Sequence, residues 1–223
     1  MVLAYGKEGG DSTKMVTHYE RKRDGGFTVQ FDTEQLIWVN EPKEYSISEH
    51  KITLRTEPGT DFWQRTYYGF RNDNAPALLT KTSEPYFTFE VKTAFDSKRR
   101  FDQSGVIVYQ DEENWFKASC EYENETYQRL GSVVTNHGYS DWATTDIPAD
   151  HKVMYYRLSR RERDFLIEFS FDGVEYRQMR IFHLAAAKDE VRFGVYACSP
   201  EHSSFEAVFT DFRCGDCVWE EHR

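Results

Sequence analysis

From residue 27 onward, apolar and polar positions alternate in short runs separated by turn residues, the period-2 pattern of strands with one buried face. The runs read FTVQF, KITLRT, YFTFEV, QSGVIVYQ, NWFKASCEY, GSVVT, VMYYRLSR, FLIEFSF, YRQMRIF, VRFGVYA and FEAVFTDF. Between QSGVIVYQ and NWFKASCEY the spacer Asp111, Glu112, Glu113 leaves room for only a tight connection, and Asp172-Gly173 carries a hairpin signal. Sequential antiparallel pairing follows. One short segment, HLAAAKDE over residues 183–190, has helical propensity and is predicted to be a connecting helix. More than ten strands with few crossovers predict an all-β fold, two antiparallel sheets packed face to face as a jelly-roll β-sandwich.

The two runs between Asp102 and Glu121 sort their residues most sharply. Phe116, Ala118, Cys120 and Tyr122 fall on one face and are expected in the core, while Trp115, Lys117, Ser119 and Glu121 share the other. On the preceding run, Gln103, Gly105, Ile107 and Tyr109 oppose Val106 and Val108. A sheet face bearing Trp, Lys, Glu and Gln suits a polar ligand better than it suits packing.

Composition narrows the class. Aromatic residues make up 16% of the 223-residue chain although its mean hydropathy is low. The core is therefore expected to be built from Phe, Tyr and Trp alternating with polar positions. This length is within the range of a single all-β domain. Residues 1–26, polar and weakly periodic, are read as a peripheral extension, 27–213 as the folded domain and 214–223 as a C-terminal tail. A formal charge of -10 opposes binding to nucleic acid or to an anionic membrane surface. The N-terminal stretch has no apolar run of signal-peptide length and no segment reaches the roughly 20 apolar residues of a membrane span, so a cytoplasmic protein is expected. Cys120 and Cys198 then read as buried thiols.

The ordered set WVNEP (38–42), TDFWQRTYYGF (60–70), DQSGVIVYQDEENWFKASCEY (102–122), SVVTNHGYSDW (132–142), FSFDG (169–173) and VYACSP (195–200) resembles the regulation-of-enolase-like family of domains of unknown function. Together these motifs span most of residues 33–213. The resemblance implies the concanavalin A-like lectin and glucanase fold, in which sugars are usually held on a concave sheet face. It implies no activity, because a fold does not set a function. The family's label implies a part in enolase regulation.

Candidate chemistry is sparse. Glucanases of this fold set their acids two residues apart on one strand; Glu121, Glu123 and Glu125 have that spacing, but Glu123-Asn124-Glu125-Thr126 has turn composition, so Glu123 and Glu125 are expected in a solvated hairpin. Glu121 shares its strand face with Lys117, with which it is expected to pair. Asp61 with Trp63, and Asp141 with Trp142, form acid-aromatic units expected in loops. A flat ring covers the apolar face of a pyranose while the carboxylate meets its hydroxyls, although either Trp can equally close the end of the core. Cys214-Gly215-Asp216-Cys217 lacks the second ligand pair of a structural zinc site. Neither a metal site, a phosphate loop nor a nucleophile elbow is legible, and no cofactor is expected.

Three readings follow. In the first, a non-catalytic module binds a saccharide or small polar ligand, with Gln103, Trp115, Lys117 and Glu121 as floor and Asp61, Trp63, Asp141 and Trp142 as rim. The second is a glycosidase using Glu121 with Asp61 or Asp141, and the third a regulatory factor that docks a protein partner.

Overall fold

The structure, a computed structural model, describes residues 35–220 together with the backbone of Glu20–Arg21 and Phe27–Thr28. The rest of the proposed 1–26 extension, and most of the FTVQF run, lie outside the described residues. The strands in chain order are β1 (Glu20–Arg21), β2 (Phe27–Thr28), β3 (Ile37–Val39), β4 (Tyr45–Ser48), β5 (Lys51–Arg55), β6 (Phe62–Gln64), β7 (Arg71–Asp73), β8 (Ala77–Thr82) and β9 (Tyr86–Phe95). They continue with β10 (Gln103–Asp111), β11 (Asn114–Tyr122), β12 (Tyr127–Asn136), β13 (Tyr139–Pro148), β14 (Val153–Arg161), β15 (Asp164–Ser170), β16 (Arg177–His183), β17 (Val191–Cys198) and β18 (Glu206–Gly215).

Two antiparallel sheets of seven strands carry the fold. The first has the order β13-β12-β11-β10-β17-β8-β3, the second β16-β15-β14-β9-β18-β5-β4. Between them lies an aromatic core, including Phe87, Phe89, Phe116, Phe165, Phe193 and Phe209, all essentially inaccessible to solvent. The alternation read from the sequence places these residues: Val106, Val108, Phe116, Ala118 and Cys120 all point into this core. Phe116 stacks on Phe182 at 4.0 Å between centroids, tying the two sheets together.

The middle of the first sheet, β8, β10, β11 and β17, is buried on both faces. A second apolar cluster, holding Phe62, Trp63, Leu79, Ile107, Tyr109, Trp115, Val133 and Tyr196, lies on its outer face beneath the β6–β7 hairpin. Phe62, fully buried, packs at 5.7 Å from Trp115 and 5.9 Å from Tyr109. Burying such a side chain stabilises by about 1.5–3 kcal/mol, enough to hold a short hairpin down.

The expected helix over 183–190 does not form, and among the described residues there is no helix. The segment leaves β16 in a single turn closed by Ala187 N–H on the Leu184 carbonyl at 2.9 Å. Its other polar groups are taken by neighbours: Ala185 N–H donates to Asn136 Oδ1, and the buried Arg160 guanidinium takes the carbonyls of Lys188 (2.7 Å) and Asp189 (3.1 Å). A helix of this length has a costly nucleus, and these tertiary bonds replace its ladder. At the C-terminal end, β18 runs to Gly215 and buries Cys214, so the strand continues beyond residue 213. All four cysteines are free thiols. No helix among the described residues is long and apolar enough to cross a membrane.

Candidate functional site

On its outer face the first sheet carries, beside the aromatic cluster, a pocket of about 350 Å³. That volume falls at the small end of ligand pockets, roughly 300–1,000 Å³. β11 contributes Lys117 and Glu121, β10 Gln103, β12 Val133, β13 Trp142 and β6 Trp63, while loops add Asp61, Phe101 and Glu201. The hairpin connection supplies Tyr68 and Phe70.

Register explains the floor. Gln103 lies opposite Glu121 across β10 and β11, and its Nε2 donates to Glu121 Oε2 at 3.1 Å and to the Phe101 carbonyl at 3.1 Å. Tyr196 from β17 donates its hydroxyl to Gln103 Oε1 at 2.9 Å. Glu121 Oε1 is buried without a hydrogen-bond partner. Burial raises the Glu121 carboxyl to about 7, a rise opposed by Lys117 and Arg129 and aided by Asp61.

The Lys117 ammonium donates to Asp61 Oδ1 at 3.1 Å, with the two side chains only 4% and 13% exposed. Burial works to lower its pKa, but Asp61, helped by Glu121, outweighs burial and holds it above the ordinary lysine value. The rings of Trp115 and Tyr196 lie 5.8 and 5.7 Å from the ammonium. The expected Lys117–Glu121 pair is therefore corrected: both residues share a face, but four residues along a strand cover about 13 Å, too far for direct contact. Each finds its partner on another element instead. Asp61 is itself held, because the Phe62 N–H donates to its Oδ1 at 2.7 Å and its own N–H donates to Asn74 Oδ1 at 2.9 Å.

The aromatic wall is built on the hairpin and β13. Trp63 and Trp142 meet edge to face at 6.3 Å, and Trp63 continues onto Tyr68 at 5.5 Å, which stacks on Phe70 at 5.7 Å. Trp142 lies over Gly131, where an added Cβ would stand 3.0 Å from the indole Nε1. Both tryptophans sit on strands rather than in the expected loops. The hairpin is locked to its neighbours: Arg65 donates to the Gly138 carbonyl at 2.7 Å and to Glu113 at 3.0 Å, and Gln64 N–H donates to Ser140 Oγ at 2.9 Å. Arg65 and Tyr67 both adopt left-handed backbone, φ 56° and 62°, a strained conformation that such anchoring maintains.

Of the eight residues expected to form a site, the pocket brings together Asp61, Trp63, Gln103, Lys117, Glu121 and Trp142. Two fall elsewhere. Trp115 is fully buried beneath Phe62, because the hairpin covers the part of the sheet face expected to be open. Asp141 points from β13 away from Trp142 and pairs with Arg180 of β16, as its alternation with Trp142 requires. Glu123 is no solvated turn acid either, since Arg100 (2.9 Å) and Arg129 (3.0 Å) clamp its carboxylate. Sequence reasoning missed Tyr68, Phe70, Phe101 and Glu201. The signal for the first two was present in Tyr67-Tyr68-Gly69-Phe70, a run of rings around a turn glycine with nothing apolar beside it in sequence to pack against.

Fold and site together define an all-β sandwich with a polar, aromatic-walled pocket of small-ligand size on a sheet face. The chain belongs to the family described as "Protein of unknown function (DUF1349)", whose model matches residues 38–217. It is similar to the "Regulation of enolase protein 1" of Saccharomyces cerevisiae, with 30% identity over 178 residues, 80% of this chain and 88% of that one. A crystal structure of a functionally unknown protein from Saccharomyces cerevisiae matches with a TM-score of 0.77 at 28% identity, over 83% of this chain and 98% of that chain. The xylan beta-1,4-xylosidase from Bacillus halodurans matches with a TM-score of 0.65 at 16% identity, over 91% of this chain but 41% of the enzyme. Identity that low establishes a shared fold alone.

Proposed function

We propose that this protein binds a saccharide, or a small polar ligand of similar shape, in the pocket between the aromatic wall and the Lys117–Asp61 pair. The observation that carries this reading is the pairing of partly exposed rings with a buried, already hydrogen-bonded polar floor. Tyr68 and Phe70 are 50% and 44% exposed, whereas Lys117 and Gln103 are almost wholly buried. Rings of this kind cover the C–H face of a pyranose, and fixed polar groups orient its hydroxyls at little entropic cost.

A screen of the protein against soluble glycans by tryptophan fluorescence tests the reading, with Tyr68→Ala and Phe70→Ala alongside. A saturable signal weakened about tenfold or more in either variant is expected, in line with loss of a stacking ring. Saturable binding indifferent to both substitutions would remove the pocket from the account. Silence across the panel would move the reading to a protein partner.

One observation favours a second reading, glycoside hydrolysis. Glu121 titrates near 7, where a carboxyl can serve as general acid, and Asp61 is a second carboxylate lining the same pocket. In that case Glu121 gives its proton to the leaving oxygen as the glycosidic bond breaks, and Asp61 takes a proton from the water that forms the new bond to the anomeric carbon. Turnover of an aryl glycoside, abolished by Glu121→Gln, is the expected result of this reading; absence of turnover in a protein that binds glycans leaves the binding module.

A further inference from the structure

We infer that the pocket sorts sugars by charge, and that a sugar bearing a protonated amine fits it better than the neutral or phosphorylated sugar of the same shape. The inference rests on the saccharide reading above.

Among the lining residues the carboxylates Asp61, Glu121 and Glu201 face a single cation, Lys117. Lys117 is engaged with Asp61 and enclosed by the rings of Trp115 and Tyr196, with 4% of its side chain exposed. The next guanidiniums are engaged as well: Arg129 and Arg100 both clamp Glu123. An incoming phosphate would thus meet Glu121 and Glu201 with neither a free ammonium nor a free guanidinium among these groups to receive it, within a chain whose formal charge is -10. A fixed anion needs such a partner, and a bidentate arginine is its usual form.

For a cation the same features are favourable. Ring faces attract positive charge, as the pocket's own neighbours already illustrate: Arg129 lies 5.6 Å over Trp142 and Arg100 4.5 Å over Phe101. Tyr68 and Phe70 remain open, and both line the pocket with Glu121. A protonated amine seated between those rings and the Glu121 carboxyl would favour the ionised acid, while a hydroxyl in its place gains no such attraction.

The test is titration calorimetry at neutral pH and low salt with D-glucosamine and D-galactosamine, set against the parent sugars, the N-acetylated sugars and the 6-phosphates. N-acetylation keeps the ring and removes the charge. The inference expects the amino sugars to bind about five- to tenfold more tightly than the neutral and N-acetylated forms and the phosphates to bind most weakly, with the preference shrinking as salt is added. In Glu121→Gln the ratio of amino to neutral affinity should fall to about one, whatever the substitution does to the neutral sugar. Equal affinity for amino and neutral sugars, or tighter binding of a phosphate, overturns the inference and leaves the saccharide reading standing. Failure of every sugar to bind overturns both.

Discussion

Lys117 is held in the sheet by a carboxylate that lies 56 residues earlier in the chain. Removing that carboxylate leaves a buried ammonium without its counter-ion, so Asp61→Asn should lower unfolding stability by about 3–5 kcal/mol, read as a shift in the urea midpoint. A shift below about 0.5 kcal/mol would mean that the pair is solvated and the floor open. Glu121 acts in the opposite sense. Its folded pKa of about 7 stands above the ordinary 4.5, so between these values the folded protein holds a proton that the unfolded chain has released. Stability therefore falls as pH rises through that interval, and the full penalty is present above it. Glu121→Gln should raise stability at about pH 8 by roughly 1–3 kcal/mol and change it little at about pH 4, which chemical denaturation at the two pH values measures. Alternation made Lys117, Gln103 and Glu121 legible as one face. It could not reveal their partners, because pairing across elements depends on tertiary register, and a same-strand partner four residues away was the wrong geometry.

At the scale of elements, period-2 runs between turn residues located ten of the fourteen strands of the two sheets, β5, β9–β12 and β14–β18, and the tight Asp111–Asn114 connection appears where the spacing placed it. The rest left no such trace: β3 and β4 are short, β8 is buried along nearly its whole length and β13 is exposed along most of it, and the expected helix and the β6–β7 hairpin were misread for physical reasons of their own. Residues 183–190 have helical propensity, but the Lys188 and Asp189 carbonyls serve Arg160; β6 and β7 are three residues each, too short for any period to register. That hairpin hides Trp115 and builds the pocket wall, so its omission explains both the misplaced tryptophan and the missed rings. Its anchor is testable. Arg65→Ala removes the bonds to Gly138 and Glu113 and should speed amide exchange in residues 65–70 while exchange in β11 stays slow. Unchanged exchange in the hairpin would show that Phe62 and the Gln64 bond to Ser140 hold it without Arg65. In β17, a Cβ added to Gly194 would stand 2.1 Å from the Leu78 carbonyl oxygen of β8, so Gly194→Ala must displace backbone and should cost about 1–3 kcal/mol by thermal or chemical unfolding.

For the molecule as a whole, the fold was legible because ordered motifs over most of the chain carried a family resemblance, and the family match over residues 38–217 agrees with it. Function was less so. The pocket is assembled from four strands of one sheet, an accessory hairpin and three loops, and only its sheet-borne part leaves a periodic trace. The yeast relative's name concerns regulation of enolase, and the xylosidase likeness reaches only the fold, so the pocket chemistry carries the account. The five indoles give a direct report on it: Trp63 and Trp142 line the pocket, Trp115 lies buried behind Phe62, and Trp38 and Trp219 are outside the lining. Indole N–H correlation spectra of nitrogen-labelled protein, recorded while soluble glycans are titrated in, measure where binding occurs. The account predicts saturable shifts of Trp63 and Trp142 with Trp38 and Trp219 still; shifts confined to Trp38 or Trp219, or none with any glycan, would contradict it.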